Sequence, residues 1–388
     1  MPAKDTSDAG EQPCRRCREA SSVLVVRGEP LCRDCFVKYV HTKAIKRMET
    51  LRVRHSAPGQ QRKVLLPLSF GVSSVVLLHV LDHHLKTQAS KTGRTGFSIA
   101  ALSVDDSMIL KAPVSYLQLM ARIQEQYPGH EYSSLPLHDV FRLLPADSSL
   151  FALTTDTNVS TDTPPEQRLA ALLNSLPSAT ARADVISTLR TRLIVEHAKS
   201  LGCEGILWGD STTKLAEKTL SETAKGRGFS LPWRTADGES PFGITFNYPL
   251  RDLLKKELVA FARLNEPPLS PLVLENSGAS RQASMSSKDT TIDDLMKQYF
   301  ESVEEKFPSI VANVVRTTSK LKANSIRETD LRCHLCSMPV SDGRFGIHGW
   351  GGDQQDGIAG APVGDGENLC YGCTRSIPQS ITAAKGRS

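Results

Sequence analysis

The stretch Lys63-Val-Leu-Leu-Pro-Leu-Ser-Phe-Gly-Val-Ser-Ser-Val-Val-Leu-Leu-His-Val-Leu-Asp82 constrains the fold more than any other in the chain. Val64 to Leu68 is a short apolar run suited to a strand buried on both faces. Val75, Val76, Leu78, Val80 and Leu81 follow in a pattern too densely apolar for a surface helix. Ser69, Gly71, Ser73 and Ser74 form a small-residue loop between them. Such a loop, at the carboxyl end of a parallel strand and feeding a helix whose first N–H groups are unpaired, is where α/β proteins bind phosphate or pyrophosphate. Phe70 and the missing second glycine depart from that pattern.

The rest of the chain alternates in the same way. Phe97 to Val104 reads as a strand ending in Asp105-Asp106, Ala112 to Gln126 as a helix and Glu131 to Leu137 as a third strand. A helix capped by Thr180 carries Val185, Ile186, Leu189, Leu193, Ile194, Ala198 and Leu201, and Gly202 stops it. Gly205 to Gly209 is the next strand, with Asp210 to Glu217 turning into a helix. Ile244 to Tyr248 is a further strand, and Pro249 is expected near the first turn of the helix after it. Gln88 to Gly96 and Lys225-Gly-Arg-Gly228 read as polar, flexible connections. The βαβα alternation argues for a doubly wound parallel sheet, with the loops Ser69–Ser74 and Gly209–Thr213 sharing one crevice.

Cysteine placement bounds the two ends. Of nine cysteines, eight fall in four Cys-x-x-Cys pairs, a spacing that favours metal over disulfide in a reducing compartment. Cys14, Cys17, Cys32 and Cys35 flank a strand at Val23 to Val26 and a turn at Gly28-Glu29-Pro30, the outline of a zinc ribbon. Cys333 and Cys336 pair with Cys370 and Cys373 across a long polar spacer, read as an insertion at a second ribbon tip. Both groups are expected to hold zinc, with His334 a bystander. The remaining thiol, Cys203, reads as a small buried residue.

The net charge of +5 is unevenly spread: from Lys38 to Lys63, eight Lys or Arg face one acid, Glu49, so this segment carries +7 and the remainder −2. Phe36, Val40, Ala44, Met48 and Leu51 mark one apolar helix face there, with Lys38, Lys43, Lys46, Arg47, Arg52 and Arg54 as candidate contacts to an anionic partner. A solvated helix face is the competing reading. The polar N-terminus carries no secretory h-region, and the apolar run Val64 to Leu78 is too short and too broken for a membrane span. A soluble cytoplasmic protein is expected. Four units are expected: 1–55 with the first ribbon and basic helix, 60–275 as the α/β domain, 276–330 as a Ser-rich linker and helices interrupted at Pro308, and 331–388 as the second ribbon. The segments 147–165 and 276–293 read as linkers or disordered.

Paired cysteines at both ends of a nucleotide-binding α/β unit resemble the cytoplasmic tRNA 2-thiolation protein 2 family. Further stretches that carry the likeness are Leu31-Cys-Arg-Asp-Cys-Phe36, Trp208-Gly-Asp-Ser211, Tyr248-Pro-Leu-Arg251, Tyr299-Phe-Glu-Ser302 and Phe307-Pro-Ser-Ile310. The resemblance implies a fold of the PP-loop ATP-pyrophosphatase (adenine nucleotide alpha hydrolase-like) type. It also implies the non-catalytic subunit of a heterodimeric thiolase that places sulfur on C2 of the wobble uridine of tRNA(Lys), tRNA(Glu) and tRNA(Gln). The implied partners are tRNA, a catalytic PP-loop subunit that adenylates the uridine with ATP, and a thiocarboxylated ubiquitin-related modifier, a setting linked to protein urmylation.

Three departures from the catalytic pattern Ser-Gly-Gly-x-Asp-Ser place the chemistry elsewhere. Ser69, Gly71 and Ser74 are kept, but Phe70 replaces a glycine whose backbone approaches phosphate, and Ser73 replaces the acid. Outside the paired groups only Cys203 remains, so no sulfur-transfer or iron–sulfur site can be built from central thiols. No catalytic residue is therefore assigned, and the loop is expected to bind ATP poorly or not at all. Two alternatives stand beside this reading: a self-sufficient PP-loop ATP pyrophosphatase, and a zinc-containing RNA-binding module unrelated to thiolation.

Overall fold

The computed structural model describes residues 12–51, 62–110, 116–144, 148, 150, 163–274, 290–323, 326, 330–340 and 368–377. The segments 149 and 151–162, 275–289 and 341–367, which include most of the expected linkers and the spacer of the second cysteine group, lie outside them. A hairpin of β1 (Leu24–Val26) and β2 (Glu29–Leu31) leads into α1 (Arg33–Lys46). The register pairs Val26 with Glu29, so the turn is Arg27-Gly28, not Gly28-Glu29-Pro30. Both turn residues have positive φ, 50° and 83°, as a two-residue hairpin turn that follows the strand twist requires.

β3 (Arg62–Pro67), β4 (Phe97–Asp105), β5 (Glu131–Pro136), β6 (Gly205–Leu207), β7 (Gly238–Glu239) and β8 (Thr245–Asn247) form one sheet in the order β5-β4-β3-β6-β8-β7. Every neighbour pair is parallel except β7 with β8 at one edge. The helices are α2 (Val72–Thr92), α3 (Ser107–Leu110), α4 (Tyr116–Gln126), α5 (Val140–Leu143), α6 (Pro165–Ser175), α7 (Ala179–Ser200), α8 (Thr212–Ala224) and α9 (Leu231–Thr235). They continue with α10 (Lys255–Leu264), α11 (Ile292–Lys306), α12 (Pro308–Thr318) and α13 (Tyr371–Ser376).

Side chains alternate across a strand, and the central strand splits the core accordingly. Val64, Leu66 and Leu68 face α1, α2, α4 and α10, whereas Leu65 joins Ala100, Leu102 and Ile206 against α7, α8, α11 and α12. The chain winds outward from β3 through β4 to β5, then returns to β6 on the other side. The strand order therefore reverses between β3 and β6, the position where such folds leave a crevice.

Several boundaries differ from expectation for local reasons. α2 runs through the polar residues to Thr92 and ends at Gly93, φ 71°; Gln88 supports the exit by accepting from the Gly96 N–H at 3.1 Å. Ser178 rather than Thr180 caps α7, its hydroxyl accepting from the Ala181 N–H at 3.1 Å. Pro249 lies in a turn; α10 starts six residues later, where Glu257 accepts from the Leu254 N–H at 2.8 Å. Lys225-Gly-Arg-Gly228 is not a flexible basic loop, since Arg227 is 1% exposed. Arg227 donates to Glu222 at 2.8 Å and to both carboxylate oxygens of Asp184, which also accepts from Ser376 at 2.8 Å.

Candidate functional site

The loop Ser69–Ser74 leaves β3 and enters α2 with Gly71 as the capping residue. Phe70 occupies the left-handed region at φ 56°, a conformation that disfavours a bulky side chain by roughly 1–2 kcal/mol. Its ring is fully buried, tilted against Tyr116 at 5.9 Å, and its carbonyl accepts from the Leu274 N–H at 2.8 Å. The turn between β3 and α2 is thus built on a bulky residue in the left-handed region, with burial of the ring offsetting the strain.

The loop also satisfies itself. Gly71 N–H donates to the Ser69 hydroxyl at 3.4 Å, the Ser74 hydroxyl donates to the Gly71 carbonyl at 3.0 Å, and the two hydroxyls lie 3.3 Å apart. Gly209, after β6, approaches so closely that a Cβ there would sit 3.1 Å from Ser74 Cα. The two loops therefore do share one crevice, as the strand order requires. At its β4 side Asp106, 6% exposed, is paired with Arg190 and accepts from the Tyr116 hydroxyl at 3.2 Å. Tyr116 links that carboxylate to Phe70.

Each expected set of four cysteines converges. In both groups the four sulfurs lie within 4.8 Å of one another. Zinc–thiolate bonds of about 2.3 Å in a tetrahedron place sulfurs about 3.8 Å apart. Cys17 and Cys32 sulfurs are separated by 3.8 Å, and those of Cys336 and Cys370 by 3.9 Å. The donor sets therefore fit a metal ion of this kind.

The two groups use one local design. In the first pair of each, the N–H after the second cysteine returns to the first cysteine's carbonyl: Arg18 to Cys14 at 2.9 Å, Ser337 to Cys333 at 2.8 Å. Those residues have φ of 62° and 58°. In the second pair, the first cysteine caps a helix, Cys32 on α1 and Cys370 on α13, so its partner sits in the first turn. A helix N-terminus favours thiolate, but burial and the neighbouring sulfurs outweigh it at both caps, raising Cys32, Cys35, Cys370 and Cys373. Burial raises Cys14, but backbone hydrogen bonds from Cys32, Cys17 and Arg16 outweigh it and bring it to about 6. Burial and the neighbouring sulfurs push Cys35 up to about 12. In the second group, hydrogen bonds from Cys333, Cys370 and Cys373 hold Cys336 well below the ordinary thiol range. Cys203 is buried, which pushes its thiol up to about 11, the behaviour of a packing residue.

Of the basic candidates, Lys38, Lys43, Lys46 and Arg47 lie on or just after α1, while Arg52 and Arg54 fall outside the described residues. Lys38, Lys46 and Arg47 are exposed, and Lys43 lies 5.8 Å from the Tyr39 ring. Arg62 and Lys63 diverge to the other end of the sheet, where they pair with Glu204 at 2.6 Å and Glu131 at 2.7 Å. Sequence reasoning missed Arg27, Arg251 and Arg316, which the fold brings beside Arg47 around one cleft. No periodicity or motif joins those positions.

A doubly wound sheet with a small-residue loop at its switch point, flanked by two four-cysteine groups, is a fold of the PP-loop ATP-pyrophosphatase type. The solved U34-tRNA thiolase NcsA from Methanococcus maripaludis, determined with its [4Fe-4S] cluster, shares this fold. It aligns with a TM-score of 0.53 at 16% identity over 85% of this chain and 93% of that one. The family model described as cytoplasmic tRNA 2-thiolation protein 2 matches residues 291–346. Relatives of that name from Pyrenophora tritici-repentis and Phaeosphaeria nodorum are each 61% identical over 100% of both chains. One from Aspergillus clavatus is 37% identical over 98% of this chain and 99% of its own. The chain belongs to the cytoplasmic tRNA 2-thiolation protein 2 family, and its expected cytoplasmic location agrees with the name its relatives carry. No helix among the described residues is long and apolar enough to cross a membrane.

Proposed function

We propose that this chain is the non-catalytic subunit of a heterodimeric tRNA thiolase. It is needed for 2-thiolation of the wobble uridine of tRNA(Lys), tRNA(Glu) and tRNA(Gln), with sulfur supplied by a thiocarboxylated ubiquitin-related modifier. The carrying observation is the loop Ser69–Ser74, in which the Ser69 hydroxyl takes the Gly71 N–H that a phosphate would use and the Ser74 hydroxyl turns to the Gly71 carbonyl. Phe70 and Ser73 stand where the catalytic pattern has glycine and acid, and Cys203 is the only cysteine outside the paired groups. Such a chain keeps the fold and leaves adenylation and sulfur transfer to its partner.

In this reading Cys14, Cys17, Cys32 and Cys35 hold one zinc ion and Cys333, Cys336, Cys370 and Cys373 a second, each as a closed structural site with no position left for substrate. Lys38, Lys43, Lys46, Arg47, Arg52 and Arg54 contact tRNA phosphates, which position the RNA without reading its sequence. The chain divides at 55–60, near 276 and near 330, three places that touch stretches outside the described residues.

Deletion of the gene, read by retardation of tRNA in a mercury-containing gel, should abolish the thiolated wobble species. Unchanged thiolation would remove the proposal and favour a zinc-bearing RNA module. Pyrophosphate release by the isolated chain on ATP and tRNA should stay at background. Clear turnover would instead make it a self-sufficient pyrophosphatase.

A further inference from the structure

Two basins meet beside the N-terminus of α8, on the side of the sheet where the crevice opens. One, of about 160 Å³, is lined by Arg27, Arg47, Thr212, Arg251, Asp252 and Arg316, among others. The second, of about 270 Å³, is lined by Lys43, Lys46, Arg47 and Asp252. Sharing Arg47 and Asp252, they adjoin at that ion pair as two basins of one groove. Its cations come from the β1–β2 turn, from α1, from the turn before α10 and from α12, segments nearly 300 residues apart in sequence.

The charge is not cancelled locally. Six cations line the groove, and acids hold three of them: Glu257 with Arg27 at 3.0 Å, Asp237 with Arg251 at 3.0 Å and Asp252 with Arg47 at 2.6 Å. Among the described residues, Lys43, Lys46 and Arg316 are in no ion pair, Lys43 lying instead beside the Tyr39 ring. The Arg47–Asp252 pair is more than a third exposed on both sides, and pairs of this kind contribute about 0–1 kcal/mol, so an incoming anion can displace Asp252. Arg27 directs one nitrogen to the Asp252 carbonyl at 2.7 Å and another to Glu257, which holds its guanidinium at the rim. Guanidinium forks match phosphate oxygens.

Neither basin is lined by an aromatic ring, so nothing there stacks a base. Two basins in series suit successive phosphates of a polymer better than a single nucleotide. We infer that this groove is a track for the sugar–phosphate backbone of RNA, in which Arg27, Arg47 and Arg316 contact phosphates and Asp252 restrains affinity by competing for Arg47. The inference rests on the tRNA substrate proposed above and extends the contact surface from one helix to three separate segments.

The test is binding of an unmodified tRNA(Lys) transcript to the full chain across a salt series. Arg47→Glu with Arg316→Glu should raise Kd at least about tenfold and lower the salt slope by about two. Asp252→Asn should tighten binding about threefold, a gain that misfolding cannot produce. Lys91→Glu, at the far end of α2, should change neither. If the wild type binds the transcript and the Arg47→Glu/Arg316→Glu and Asp252→Asn variants bind equally, the groove is not the RNA site, while thiolation lost on gene deletion would still uphold the proposed function. A double variant that loses capture of its thiolase partner yet keeps RNA affinity assigns the groove to a protein contact and overturns the inference. A wild-type chain that binds no RNA overturns it as well.

Discussion

Around the first cysteine group, Cys17 and Cys35 reach the half-exposed surface; around the second, all four cysteines are buried. Their anchoring differs in the same sense. The first packs Cys14, Cys32, Leu31 and Phe36 into the core shared with α2 and α10, and its arginines pin it from outside: Arg27 to Glu257 at 3.0 Å, Arg33 to the Leu264 carbonyl at 2.7 Å, and Arg47 to Asp252 at 2.6 Å, each more than a third exposed. The second is fastened from inside by Arg227, which joins Asp184 and Glu222 in a network that also reaches Ser376 on α13. Two glycines permit that contact. A Cβ on Gly226 would run into the Tyr371 ring, and one on Gly372 would run into Arg227 and the Lys225 carbonyl. One knuckle-and-helix design therefore joins the core at both ends, backed by half-solvated arginine pairs at the first and by a buried arginine network at the second.

The strongest test of this contrast is ligand removal. Cys373→Ser should destabilise the whole chain by several kcal/mol, on the order expected when a structural zinc site is lost, and leave one metal ion by elemental analysis. Cys14→Ser should also leave one metal ion, but with a smaller shift of the urea midpoint and with new protease cleavage confined to the first fifty residues. Equal midpoints for the two variants would erase the distinction.

A matched pair comes next. Arg227→Met strands Asp184 and Glu222 in the interior and should cost about 3–5 kcal/mol, because breaking a buried pair leaves charge uncompensated. Arg27→Met should cost about 1 kcal/mol, since its own side chain is partly solvated and Glu257 keeps the Leu254 N–H. Chemical denaturation measures both.

Access should separate the groups kinetically. A chelator such as EDTA is expected to strip metal in two phases, and Cys14→Ser should remove the fast one. Loss of the slow phase in that variant would reverse the assignment.

The smallest effect concerns pH. His41 on α1 lies 4.8 Å from His83 and 6.1 Å from His79, with Phe261 at 5.7 Å. Burial, and then the neighbouring histidines, hold its pKa at about 4, below the model-peptide value of 6.5. Burial lowers His79 as well; Asp82 and Lys86 on the same helix and Tyr127, just past the end of α4, complete the surroundings. Below 6.5 the unfolded chain binds the proton that folded His41 refuses. The stability His41 contributes is therefore complete above 6.5 and drains as pH falls toward 4. His41→Phe should flatten the pH dependence of the melting temperature over that interval.

What could be read in the sequence was whatever depends on neighbours along the chain. The apolar runs at Val64 to Leu68 and Phe97 to Val104, the helix face of Phe36, Val40 and Ala44, and the spacing of eight cysteines each report a local periodicity or a chelate geometry. The sheet followed from them. The misreadings are cases where a distant partner decides. Lys225 to Gly228 has the composition of a loose basic loop, yet Asp184 and Glu222 draw Arg227 inside. Pro249 looks like a helix start, but the Glu257 cap places that start further on. The groove was invisible for the same reason: Arg27, Arg251 and Arg316 are adjacent only after the sheet has been wound.

The contact that the glycines at 226 and 372 allow also predicts an order of assembly. Cys14 to Cys35 span 22 residues and close on their own hairpin, so this group is complete as soon as that short segment has left the ribosome. Cys370 and Cys373 ride on a helix seated against residues 184 to 227, and they have no surface to rest on until that middle part of the chain has folded. The first thiol group is thus a nucleus that can form early, and the second is a latch that closes last, over a finished domain.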